Sequence, residues 1–171
     1  DLHSFPTRRS SDLPGFRDFR IEAFEVPHDS SDNVGYLITC GNHRLTVATD
    51  VGHITDTVSK YIQMANHLVL EANYDEEMLR YGSYPDFLKE RVASPTGHLS
   101  NHETAEFLAT HYTPALKNIW LCHLSRENNH PDLAYKTVDL RLAAEGIRVG
   151  KDVHLTTLKR MTPSPLFEID S

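Results

Sequence analysis

The chain has 171 residues, 39% hydrophobic and 24% charged, which suits one domain with a buried core and excludes a disordered tail. Seventeen basic residues against 24 acidic ones give a net charge of −7, which disfavours a passive nucleic-acid binder working through basic patches. No apolar run reaches the roughly 18 residues of a membrane span, and two cysteines, Cys40 and Cys122, outside any CxxC pair favour a reducing, cytoplasmic setting.

Residues 1–13 (DLHSFPTRRSSDL) carry no starting Met, no apolar stretch of signal-peptide type and no helical or strand period. The string resembles a translated sequencing-adapter remnant, so a non-native leader is expected there, with a native disordered arm as the alternative. The domain is then expected over 14–171. Residues 20–28 alternate as a strand with Pro27 near its end, and 34–40 and 44–50 are β-rich runs around Gly41-Asn42-His43, a hairpin signal. Thr55 caps a helix over 56–65, and HLVLEA (67–72) reads as a buried strand. Residues 75–93 are helical, interrupted around Gly82 to Pro85. Ser100-Asn101-His102-Glu103 is a capping box opening a helix over 101–111. A buried strand over 118–123 follows, then a helix over 131–145 with Pro131 at its start and Gly146 at its close, then a strand over 152–158. A hairpin followed by strand–helix alternation predicts an α/β fold.

Eleven histidines are an excess that points to metals or proton transfer. His28, Asp50 and His123 each follow a strand, where ligands of open α/β sheets collect. Two imidazoles and a carboxylate match a zinc or manganese donor set, and a carboxylate can offer one oxygen to each of two ions. His98, two residues ahead of the Ser100 cap, sits at a helix N-terminus suited to a phosphate oxygen, or else packs beneath its loop.

His28-Asp29, Gly35-Tyr36 and Ala48-Thr49-Asp50-Val51-Gly52 resemble the second half of the metallo-β-lactamase superfamily. Leu70-Glu71-Ala72-Asn73-Tyr74-Asp75, Gly97-His98-Leu99-Ser100-Asn101 and Cys122-His123-Leu124-Ser125 narrow the likeness to its YycJ-type phosphodiesterase and exonuclease branch. The resemblance covers about residues 20–165. It implies the C-terminal half of an αββα sandwich. It also implies two divalent ions, Zn or Mn, with His28 on the first, Asp50 bridging both and His123 on the second. His98 would bind the scissile phosphate and help protonate the leaving group. The implied substrate is a nucleic-acid phosphodiester, DNA ahead of RNA, and the ions answer the objection from net charge.

The family's His-x-His-x-Asp-His motif is absent: no two histidines are separated by one residue, and no Asp-His dipeptide occurs. The family places that motif upstream of His28, so the expectation is a partial domain with two protein ligands per ion. Such a chain binds metal weakly and hydrolyses little. It also exposes an apolar sheet face that favours self-association. Ser100, Arg126 and Asn129 are candidates for substrate contact, the last two weighed with Asn128 against a solvated loop. Asp29 is read as supporting a ligand histidine or capping its loop, and Glu71 as supporting the site or satisfying nearby backbone. Two rivals keep part of this reading: a thioester or lactam hydrolase of the same fold, and a metal-free binding scaffold.

Overall fold

The computed structural model describes residues 18–169, so the leader expected over 1–13 lies outside the described residues. β1 (Phe19–Glu25), β2 (Val34–Cys40) and β3 (His43–Ala48) pair antiparallel in sequence order. Gly41 makes the β2–β3 turn at φ 56°, a left-handed conformation that costs glycine no steric penalty. Beyond β3 the pairing becomes parallel through β4 (His67–Glu71), β5 (Asn118–Cys122) and β6 (His154–Thr157). The six strands therefore lie in chain order, β1-β2-β3-β4-β5-β6.

Helices make the parallel crossovers. α1 (Asp56–Gln63) joins β3 to β4; α2 (Glu76–Tyr81), α3 (Asp86–Val92) and α4 (Asn101–Thr110) lie between β4 and β5; α5 (Pro131–Ala144) joins β5 to β6. Their ends follow local chemistry. Thr55 accepts from the Val58 N–H, and the Ser100–Glu103 capping box is complete in both directions. Gly146, at φ 78°, closes α5 with bonds from its own N–H to Ala143 and from Ile147 N–H to Leu142.

Strand alternation splits the sheet into two faces. Leu68, Leu70, Ile119, Leu121 and Leu155 point to one face and share a core with Val58 and Ile62 of α1, Leu108 of α4, and Val138 and Leu142 of α5. The other face carries Tyr36, Val47, Val69 and Trp120 in register, with Tyr36 exposed and Trp120 covered by Phe167. One sheet and one helical layer are present among the described residues. Because β1 and β3 both run antiparallel to β2, the carboxyl ends of β1, β3, β4 and β5 share one edge of the sheet. That edge positions the site.

Candidate metal centre

Four chain segments deliver polar groups to this edge. β1 and β3 stop sooner than their sequences suggest, at Glu25 and Ala48, so His28 and Asp50 stand in the loops beyond them rather than on the strands. Pro27 cannot donate a ladder hydrogen bond, but its carbonyl accepts one from Gly52 N–H and ties the two loops together. Glu71 is the last residue of β4, and His123 directly follows β5.

Asp50 and His123 both adopt left-handed backbone, at φ 55° and 54°. For non-glycine residues such conformations are uncommon and need support from their surroundings. Two asparagines supply it: Asn33 Nδ2 donates to the Asp50 carbonyl and Asn73 Nδ2 to the His123 carbonyl, each at 2.8 Å. The twist turns both side chains toward a common point. Asp50 Oδ1 lies 3.7 Å from His28 Nε2 and also 3.7 Å from His123 Nε2.

His28 Nδ1 lies 2.9 Å from the Gly97 carbonyl, so it carries the proton and leaves Nε2 free as a donor atom. Gly97 itself is dictated by space, because a Cβ there would lie 2.2 Å from the Val92 carbonyl and 2.3 Å from that of Arg91. Leu99 and Ser100 then pack beneath the site, leaving His98 half-buried between His28 and His123, ring centroids 4.9 and 5.2 Å away.

Glu71 is fully buried beneath these rings. Its Oε2 accepts from Val51 N–H at 2.8 Å and lies 3.5 Å from His123 Nδ1. Its Oε1 is 2.8 Å from His98 Nδ1, but the direction of that contact is wrong for a hydrogen bond, and both atoms are otherwise unpartnered. Burial pushes the carboxyl up; the His123 and His98 rings and the Val51 N–H outweigh it and hold Glu71 below the usual carboxylate range. The same carboxylate raises His123, against burial and the charge of Arg160. Glu71 thus faces two histidines and one backbone donor together.

Asp29 lies 3.5 Å from His28 Nε2 and is claimed on its other oxygen by Arg91 of α3 at 2.5 Å, which lowers its carboxyl. Other candidates are placed differently from expectation. Ser100 is buried, with its hydroxyl accepting from Glu103 N–H and donating to Glu76, so it is a cap rather than a substrate contact. Asn129 is neither solvated nor open to substrate. It exchanges reciprocal amide bonds with Asn101 and donates to the Ala72 and Asn73 carbonyls, because those buried backbone acceptors need donors. Asn128 is likewise buried, whereas Arg126 is exposed and does not line the cleft beside His123.

The donor set fits a divalent metal ion. Donors about 2.0–2.1 Å from a tetrahedral ion stand about 3.3 Å apart, close to the 3.7 Å observed on either side of Asp50 Oδ1. His28, Asp50 and His98 form one cluster able to hold an ion, and Glu71, His98 and His123 another.

Comparison with known proteins identifies the family. Residues 2–119 match the beta-lactamase superfamily domain. The chain belongs to that family. This superfamily domain is 37% identical over 153 residues to exodeoxyribonuclease YycJ of Bacillus anthracis, covering 88% of this chain and 58% of that protein. It is 37% identical over 154 residues to exodeoxyribonuclease WalJ of Streptococcus pneumoniae, covering 90% and 57%. The superfamily domain thus spans less than three fifths of the length of these curated relatives. Among solved structures it superposes on the metallo-beta-lactamase fold protein YhfI of Bacillus subtilis with a TM-score of 0.54 at 17% identity, over 81% of this chain and 47% of that one. The fold is that of the metallo-β-lactamases, as the motifs imply.

The sequence reading missed Asn33, Arg91, Lys159 and Arg160. Asn73 stood inside a quoted motif without a role. None of these has a local signal, since each matters only through partners distant in the chain.

Proposed function

We propose that this superfamily domain is part of a binuclear metal-dependent hydrolase of phosphodiester bonds in nucleic acid, with DNA favoured over RNA. The observation that carries the reading is Asp50 Oδ1 standing equidistant, at 3.7 Å, from His28 Nε2 and His123 Nε2. In this reading His28 and Asp50 would hold one ion and Asp50 and His123 the other, zinc or manganese. When bound, such ions supply an activated water and neutralise charge on the phosphate.

The chain's own residues do the rest. His28 is locked in one tautomer by the Gly97 carbonyl, so its donor atom needs no rearrangement. His98 binds the scissile phosphate and gives a proton to the leaving oxygen, with the Glu71 carboxylate 2.8 Å behind its Nδ1. Asp29, tied to Arg91, sets the loop that carries His28. The exodeoxyribonuclease names of the two curated relatives support nucleic acid, and DNA in particular, as substrate. Free thiols at Cys40 and Cys122 support a cytoplasmic setting. No helix among the described residues is long and apolar enough to cross a membrane. With two protein ligands per ion, the chain as given binds metal weakly and turns over slowly, and the exposed Ile21 and Tyr36 on the sheet face support self-association.

The test is release of nucleotides from labelled single-stranded DNA with Mn²⁺ or Zn²⁺, beside a chromogenic lactam and a thioester. Slow, metal-dependent release that His98→Ala and Asp50→Asn both abolish is expected. Lactam or thioester turnover without DNA cleavage would move the assignment to the other hydrolase class.

A further inference from the structure

A cleft of about 560 Å³ opens beside His98 and His123, within the roughly 300–1,000 Å³ usual for small-ligand sites. One wall is apolar and comes from the α2–α3 region: Tyr84, Leu88 and Val92. The segment after β6 adds Lys159 and Arg160 to the lining. That segment is fixed at both ends. Leu158 N–H donates to the Leu121 carbonyl, extending the β5–β6 ladder, and Phe167 packs on Trp120 with ring centroids 5.1 Å apart. Arg160 reaches the Leu124 carbonyl at 3.5 Å. In a chain of net charge −7, two adjacent exposed cations line the cleft beside His98 and His123. Tyr84 lines the cleft half-buried, and among the described residues no aromatic ring packs against it.

We propose that this cleft seats the terminal nucleotide of a single strand. The base lies against Tyr84 and the Leu88–Val92 wall, one phosphate faces His98 and His123, and the neighbouring phosphate is held by Lys159 and Arg160. The cleft's chemistry is that of a nucleoside monophosphate, with an aromatic and apolar wall for the base and cations at one side for the phosphate. This rests on the phosphodiesterase reading above and adds to it a subsite for the end of the substrate.

The experiment is an NMR titration of the metal-free chain with dAMP and with deoxyribose 5-phosphate, at two salt concentrations. It uses the unaltered protein, Tyr84→Ala, Tyr84→Phe and Arg160→Gln, and is run beside the DNA-cleavage assay. The expected result is dAMP binding at least 10-fold more tightly than the base-free sugar phosphate. Tyr84→Ala removes about 10-fold of that preference and Tyr84→Phe retains it. Arg160→Gln weakens both ligands and makes their binding less dependent on salt. Equal binding of the two ligands, no binding of either, or a Tyr84→Ala protein indistinguishable from the unaltered one overturns the proposal. If cleavage occurs and dAMP fails to bind, the subsite is wrong and the phosphodiesterase reading stands. If dAMP binds as expected and no cleavage occurs, the subsite stands and the reading of the reaction fails.

Discussion

Asp50 and Glu71 show how much one side chain at a strand end depends on residues far along the chain. Asp50 needs left-handed backbone to present its carboxylate between two histidines, and Asn33 holds that backbone in place. Replacement by Asn preserves the conformation, because Asn tolerates left-handed backbone better than other residues, and removes only the charge. Glu71→Gln retains an acceptor for Val51 N–H and loses the negative charge behind His98 and His123. Metal affinity in that variant, read by calorimetric titration, is expected to fall about 10- to 100-fold, while the far-ultraviolet circular dichroism spectrum stays unchanged. Cys122 makes a second prediction at this scale. Burial first, then the nearby Glu71 and Asp50 charges, push its thiol up to about 12. It should resist iodoacetamide at pH 8 while unfolded protein is modified, as mass spectrometry would record. The strand-end histidines and Asp50 were legible in sequence because each terminates an apolar run. The amide of Asn129 was not legible, because polar loop residues look alike until their backbone acceptors, here Ala72 and Asn73, are known.

Helices and strands were more legible than loops, since their signals are local. Thr55, the Ser100–Glu103 box, Pro131 and Gly146 each act within four residues, and each stands where the sequence places it. β1 and β3 ended early because Pro27 and the left-handed Asp50 take the chain out of the ladder, which apolar patterning does not report. α5 offers a direct test of its packing. Leu142 is fully buried against the sheet and Leu140 is 59% exposed on the same helix. Leu142→Ala is expected to cost about 2–5 kcal/mol, and Leu140→Ala to stay within about 0.5 kcal/mol, both measured by urea unfolding. The opposite edge of the sheet predicts a pH dependence. His67, buried at the start of β4, receives Asn118 Nδ2 on Nδ1 at 2.9 Å and faces His43 at 3.2 Å through Nε2. Burial, then the neighbouring His43, lower its pKa below 6.5. The unfolded chain therefore binds the proton more readily. The stability contributed by neutral His67 is complete above pH 6.5 and is lost as pH falls below it. Thermal unfolding at pH 7.5 and 5.5 should show this loss, and His67→Gln should reduce it.

Across the whole molecule, a mixed sheet turns four separate chain segments into one polar edge, while its helix-covered face supplies the core. The fold class followed from the order of strands and helices, because a hairpin leading into parallel crossovers leaves few topologies open. The candidate site was half legible. Its candidate ligands could be named one by one, but the Glu71 contacts, the Arg91 tie and the Arg160 cleft wall depend on partners 20 to 69 residues away, like the His28–Gly97 bond itself. The measurement closest to the central claim is equilibrium dialysis of the chain against zinc and manganese, comparing the unaltered protein with Asp50→Asn. Weak, saturable binding that Asp50→Asn abolishes without loss of helical signal is the predicted result. Binding that survives Asp50→Asn unchanged would contradict the account, because the carboxylate between His28 and His123 would then not be a ligand.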